Sequence, residues 1–289
     1  VSGYLIPMSY EANYSLKSYF RNRALRILPA LYMCFVISML VAMYFGALNS
    51  VAIKDILTWA LAQLTVLQFY NPDFLRSFGV GVVNGSLWTI SVELCFYLVL
   101  PLIVFMIRKS SRMTFVVLFA LSVLFLAYFY YFISPFPFSD LTWVNKLFYV
   151  SILPYLFYFT FGILVYHKRD RLIPFVRTKF IYIALAYILL YVANQKGFIL
   201  FLITKITFSL LIFGLAFSFV RPGRRSYNKI DLTYGIYIYH MLVINVFIII
   251  GFKGDTLHVF TALFITVFLS MLSFFLVEKP CLKLKHISK

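Results

Sequence analysis

Charge is what this sequence has least of. Only 12% of its 289 residues are charged, where a soluble domain carries about a quarter. Acidic residues are scarcest, nine Asp and Glu against 26 Lys and Arg. Cysteine is limited to Cys34, Cys95 and Cys281, widely spaced and odd in number, which excludes a disulfide framework and a thiolate metal site. There is no His, Cys or carboxylate cluster for a metal, no P-loop, no G-x-S-x-G elbow and no dinucleotide fingerprint. Long polar linkers, low-complexity tracts and tandem repeats are also missing, so a single membrane domain is expected over these residues.

What is there is hydrocarbon. The chain is 63% hydrophobic, with 34 Phe and 22 Tyr, and its mean hydropathy is +0.93. Apolar runs fall at 27–45, 87–107, 113–133, 147–166, 180–193, 198–220, 232–250 and 257–277. Runs near 20 residues match the thickness of a bilayer crossed as helix. The fold class that follows is an all-α, polytopic integral membrane protein with about eight complete transmembrane helices.

The net charge of +17 invites a nucleic-acid partner, but its distribution gives a different answer. Basic clusters alternate with the apolar runs: Lys17, Arg21, Arg23 and Arg26; Arg108, Lys109 and Arg112; Lys168, Arg169, Arg171, Arg177 and Lys179; Arg221, Arg224, Arg225 and Lys229; Lys279, Lys283, Lys285 and Lys289. Threading the runs through a bilayer puts 20 of the 26 basic residues on one side. The positive-inside rule makes that side cytoplasmic. The reading is therefore a multi-pass protein of the inner membrane with its basic loops and C-terminus in the cytoplasm, and no nucleic acid is called for. The alternation works only if "VAIKDILTWALAQLTVLQFY" does not cross. Its apolar residues Ile53, Ile56, Leu57, Ala60, Leu61, Leu64 and Leu67 are spaced as one helical face, with Lys54, Asp55, Thr58 and Thr65 on another. An outer-face amphipathic or re-entrant helix is expected there.

A few polar residues interrupt the runs. Glu93, in "GSLWTISVELCFYLVLPLI", is a carboxylate placed where it costs about 2.5 kcal/mol or more. Seven residues past Ser86, it is expected roughly 10 Å below the outer surface. It serves either as a bonded structural group or as an active-site carboxylate, with Tyr97 one turn away. Trp88 is a belt aromatic or the wall of a sugar cleft. Arg23 and Arg26, three apart, are anchoring charges or a clamp for phosphate. Pro29 is taken to lie near a helix start. His240, preceded by Tyr234 and Tyr237, is a packed hydrogen-bonder or a group that handles substrate or protons. Lys205 snorkels outward or pairs with Glu93. His167, His258 and His286 carry no assignment.

Four segments occur in an order that resembles the membrane acyltransferase-3 family: "VSGYLI" with "SYFRNRALRILPALY", "SLWTISVELCFYLVLPL", "TYGIYIYHMLV" and "FFLVEKP". The resemblance covers nearly the whole chain, residues 1–289 as a single domain. It implies a bundle of about ten spans that moves an acyl group, commonly acetyl, from cytoplasmic acyl-CoA to a cell-envelope glycan or lipid-linked sugar. Acyl-CoA is a co-substrate in this scheme, and no bound cofactor is implied. The family's R-x-x-R element falls on Arg23 and Arg26 as the acyl-CoA side, and its glutamate falls on Glu93. Trp88, Tyr97, Lys205, Tyr237 and His240 are the candidates for the substrate cavity. The family's catalytic histidine belongs to an R/K-x10-H motif ahead of the first residue here, Val1. The expectation is a chain missing its first span and most of its second, and inactive by itself. The rival reading is a transporter or glycan flippase with Glu93, Lys205 and His240 as an intramembrane site.

Overall fold

The computed structural model describes residues 1–11, 15–193, 196–218, 230–252 and 254–284. The basic residues Arg221, Arg224, Arg225, Lys229, Lys253, Lys285 and Lys289, and His286, lie outside the described residues. Among those described, the regular structure is helical: α1 (Ser2–Glu11), α2 (Leu16–Tyr44), α3 (Ile53–Leu64), α4 (Trp88–Lys109), α5 (Ser111–Phe132), α6 (Trp143–Val150), α7 (Leu156–His167), α8 (Arg169–Thr178), α9 (Phe180–Val192), α10 (Phe198–Ser218), α11 (Thr233–Ile249), α12 (Thr256–Ser273) and α13 (Lys279–Lys283).

All eight apolar runs fall on helices, but not all as straight spans. Among the described residues, five helices are long and apolar enough to cross: α2, α4, α5, α10 and the continuous Thr256–Lys283. Two more crossings are available only as bent pairs, Trp143–Val150 with Leu153–His167 at 45° and Arg169–Thr178 with Phe180–Val192 at 74°. Each bend sits where an intrahelical ladder is cut. Ser151 and Pro154 interrupt the first, and the second turns at Lys179. The run 180–193 is thus not a complete span, since the 13 residues of α9 rise only about 20 Å. The 17 residues of α11 reach about 26 Å, the short limit for a crossing.

The helix α2 corrects one local reading. Pro29 lies well inside a helix that begins at Leu16, capped by Ser15, rather than near its start, and Arg23 and Arg26 share that helix. Proline is tolerated inside membrane helices because neighbouring groups can satisfy the freed carbonyl.

The helix α3, 12 residues long, is too short to cross and fits the interfacial reading. Its stripe of Ile53, Leu57, Leu61 and Leu64 is exposed, while Trp59, Ala62 and Gln63 are buried. Most of the apolar face therefore turns away from the protein, as it does in a helix lying against lipid.

The chain forms two compact units, each discontinuous in sequence: Val1–Tyr14 with Phe96–Tyr227, and Ser15–Cys95 with Asn228–Lys289. In the first, α1 packs on α7 through two glycines. A Cβ on Gly162 would lie 2.8 Å from the Gly3 Cα, so only glycine allows this approach of two backbones, the usual way membrane helices associate. Tyr4 then sits edge-on to Tyr166 at 5.6 Å and to Phe217 at 5.5 Å, and Phe96 stacks on Phe159 at 3.6 Å. In the second unit, α11 packs on α2 and α12. Gly235 meets Ser270 so closely that an added Cβ would lie 3.0 Å from the serine Cβ.

Candidate functional site

The second unit places its polar side chains around α11. The segment before α4 runs beside that helix in the opposite direction. Asn245 accepts the Val80 N–H at 2.9 Å through Oδ1, and its amide donates to the carbonyls of Val82 and of Val83, the latter at 3.2 Å. Further along, Asn84 donates to the Ile238 carbonyl at 2.7 Å, and Ser86 Oγ donates to the Tyr237 carbonyl at 3.3 Å. Gly79 permits the turn into this segment. Its φ is +51°, and the Asn245 amide occupies the space a side chain would need. Each contact satisfies a buried backbone group where water is scarce, which is the condition for non-helical chain at membrane depth.

This geometry changes the position of Glu93. Ser86 does not mark the outer surface. It lies beside Tyr237, the fifth residue of α11, and Asn84 lies beside both Ile238 and Cys34. From the level of Asn245 to that of Tyr237 is eight residues of helix, roughly 12 Å. The helix α4 therefore starts well inside the unit, and Glu93 lies deeper than its distance from Ser86 implies.

Three groups meet at that start, with His240 one turn further along α11. Thr89 Oγ1 bonds the Tyr237 hydroxyl, which donates to the Ser86 carbonyl at 3.0 Å. Glu93, half-buried one turn beyond Thr89, is within electrostatic range of the same hydroxyl. His240 Nδ1 lies 2.7 Å from the Tyr237 carbonyl. A carbonyl only accepts, so Nδ1 carries the hydrogen and, in the neutral ring, Nε2 is left as the acceptor. The arrangement is a hydroxyl, a carboxylate and an imidazole nitrogen on two adjoining helices. It suits orientation of a substrate hydroxyl and proton handling.

The other candidates are less concentrated. Trp88 opens α4 half-buried. Tyr97, buried one turn past Glu93, belongs to the first unit, as does Lys205. The Lys205 ammonium lies 4.6 Å from the centre of the Phe201 ring, a cation–π contact that gives an intramembrane charge a partner. At the opposite end of α2 from Tyr44, Arg26 pairs with Asp231 at 3.5 Å, both about half exposed, and Arg23 lies 5.9 Å from the centre of the Tyr19 ring. Asp231 also accepts from the Thr233 amide at 3.2 Å at the start of α11.

Several supporting residues were not singled out in the sequence. Gln63, Gln68, Asn84, Ser91 and Asn245 are all buried. Ser91 donates to Gln68 at 2.7 Å, tying the segment after α3 to α4. Glu278 is also buried, accepts from Ser273 at 3.3 Å, and feels the charges of Asp231 and Arg26. It sits on a π turn, Phe274–Glu278, a feature frequent at functional sites. For Ser91 and Asn245 the signal available was a polar side chain inside an apolar run, whereas Gln63, Gln68, Asn84 and Glu278 lie outside those runs and gave none.

Residues 1–275 match the acyltransferase domain family, Acyl_transf_3. The chain is a member of that family. Among characterised relatives, it is 28% identical to nodulation protein 10 of Rhizobium leguminosarum bv. viciae over 99% of this chain and 80% of that protein. It is 25% identical to the O-acetyl transferase of Shigella phage Sf6 over 96% of this chain and 81% of that protein. No solved structure matches the chain. This acyltransferase is thus a multi-pass membrane enzyme of the O-acetyltransferase kind, and the transporter reading falls.

Proposed function

We propose that this acyltransferase moves an acyl group from acyl-CoA to a hydroxyl of a cell-envelope glycan, with Glu93, Tyr237 and His240 at the reacting centre. The observation that carries the reading is the Thr89–Tyr237 bond that brings the Tyr237 hydroxyl to the Glu93 face of α4, with His240 one turn further along α11, in a chain of this family. The name of the Shigella phage relative supports acetyl as one group transferred. The basic asymmetry supports a cytoplasmic donor side in the inner membrane. The donor's phosphates then meet Arg23 and Arg26, whose guanidinium geometry suits them. Arg26 holds Asp231 at only half-exposed, long range, a pairing worth little and readily exchanged for phosphate.

The reaction is a single exchange. The acceptor oxygen attacks the thioester carbonyl, the C–S bond breaks, and the hydroxyl proton ends on the CoA thiol. His240 Nε2 accepts a hydrogen bond from the acceptor hydroxyl. Glu93 orders the groups that handle its proton, and the Tyr237–Thr89 pair fixes where α4 begins. In this step the named residues of the chain bind and orient the acceptor. Membranes carrying the protein should release CoA when given acetyl-CoA and envelope glycan, and Glu93→Gln should stop release while the protein persists at its normal level. Undiminished release by that variant would remove Glu93 from the centre.

A further inference from the structure

Between α11 and α12 lies a cavity of about 400 Å³. The two helices touch at Gly235 and Ser270, and the cavity occupies the space from there to their connecting segment. Its walls are hydrocarbon: Ile244, Phe247, Ile248, Val259, Ala262 and Leu263 line most of it. Its polar groups are few. Thr266 donates to the Ala262 carbonyl at 2.7 Å, and His258, at the far end, is 2.5 Å from Asp255 and stacked on Phe252 at 4.2 Å. His240, one turn beyond Tyr237, joins the cavity to the polar cluster there.

We propose that this cavity is the acyl-chain pocket of the donor, and that the enzyme accepts acyl groups longer than acetyl. The proposal rests on the acyl-CoA reading above. Its warrant is the order of features along α11. Asp231 and its partner Arg26 stand at the start of the helix, Tyr237 and His240 follow within roughly 14 Å, and the apolar cavity continues from His240 toward Phe252. A thioester with its phosphates at Arg26 and its carbonyl at His240 has its alkyl chain directed along the cavity. The size fits a chain and greatly exceeds what acetyl fills. A methylene takes about the room of a water molecule, roughly 30 Å³, so the cavity holds on the order of ten of them. Ile244, Val259 and Leu263 are exposed, which leaves the pocket open sideways to the bilayer for entry of the chain.

The test is the affinity of the full protein in nanodiscs for acetyl-, butyryl-, octanoyl- and dodecanoyl-CoA, with empty nanodiscs subtracted. Each buried methylene is worth up to about fourfold, the equivalent of about 0.8 kcal/mol, less whatever the bilayer already offers. Octanoyl-CoA is expected to bind at least tenfold more tightly than acetyl-CoA. Ala262→Trp and, independently, Ile244→Trp are each expected to reduce that ratio to below threefold. A wild-type ratio near one, or the same ratio in both folded variants, overturns the pocket. Failure of every thioester to bind, with Arg23→Ala and Arg26→Ala also without effect on free CoA, instead overturns the donor reading on which the pocket rests.

Discussion

Replacing Asn245 with leucine should unfasten the segment that leads into α4. Asn245 is 1% exposed and bonds Val80, Val82 and Val83. Side-chain hydrogen bonds inside membrane proteins average about 0.6 kcal/mol and reach about 1.7. Three of them give about 2 to 5 kcal/mol, and the orphaned amide and carbonyls push toward the upper end. At 1.4 kcal/mol per tenfold, local opening of residues 79–86 should become at least about 30 times more frequent. Hydrogen exchange of the backbone amides reads this directly, because protection reports local opening. Exchange should quicken at 79–86 and stay unaltered in α5 and α7. Ser122→Ala is the control. Ser122 is equally buried but donates only to Phe119 of its own helix, so it should leave 79–86 as in the wild type. If Asn245→Leu leaves the protection of 79–86 intact, the segment is held by something other than these bonds, and the depth assigned to Glu93 fails with it.

Gly162→Leu should destabilise the first unit by several kcal/mol, since even a Cβ there meets the Gly3 backbone and neither backbone can yield cheaply; a fall in melting temperature or in detergent-soluble yield checks it, and an unaltered melting temperature counts against the packing of α1 on α7. Tyr237→Phe removes the hydroxyl that bonds Ser86 and Thr89 and should slow acyl transfer about tenfold, the equivalent of about 1.4 kcal/mol, without loss of protein. Single cysteines placed at Leu57 and at Thr58 in a background lacking the three native ones should differ in labelling by a water-soluble maleimide: position 57, on the exposed apolar stripe, should be protected by lipid, and position 58 should react.

Much of the fold was legible because lipid imposes a simple rule on sequence. Each crossing segment must be apolar over a bilayer's thickness and must satisfy its own backbone. That rule alone located all eight helical runs, and the spacing of Ile53, Leu57, Leu61 and Leu64 alone made α3 an amphipathic helix. The bends did not show, because the run across Ser151 and Pro154 is as apolar as its straight neighbours. Hydropathy records whether a segment is greasy, whereas the angle between two half-helices depends on what packs against them.

The site divides in the same way. A carboxylate in an apolar run announced Glu93, and an arginine pair announced Arg23 and Arg26, since intramembrane charge is rare enough to stand out. Asn84, Gln68 and Asn245 are neutral amides, inexpensive enough in a polar loop or a long helix to pass unnoticed. Their weight comes from partners up to 165 positions away in the chain, and pattern does not encode such pairings. The sequence by itself determined that this chain lives in a bilayer, which runs are helices and which family's motifs it carries, because those properties are sums over local composition. Only the tertiary structure decided that α4 begins beside the second turn of α11, that Tyr237 comes within range of Glu93, and that a hydrocarbon-lined cavity leads away from His240. Those facts follow from which buried polar groups find each other once water is excluded.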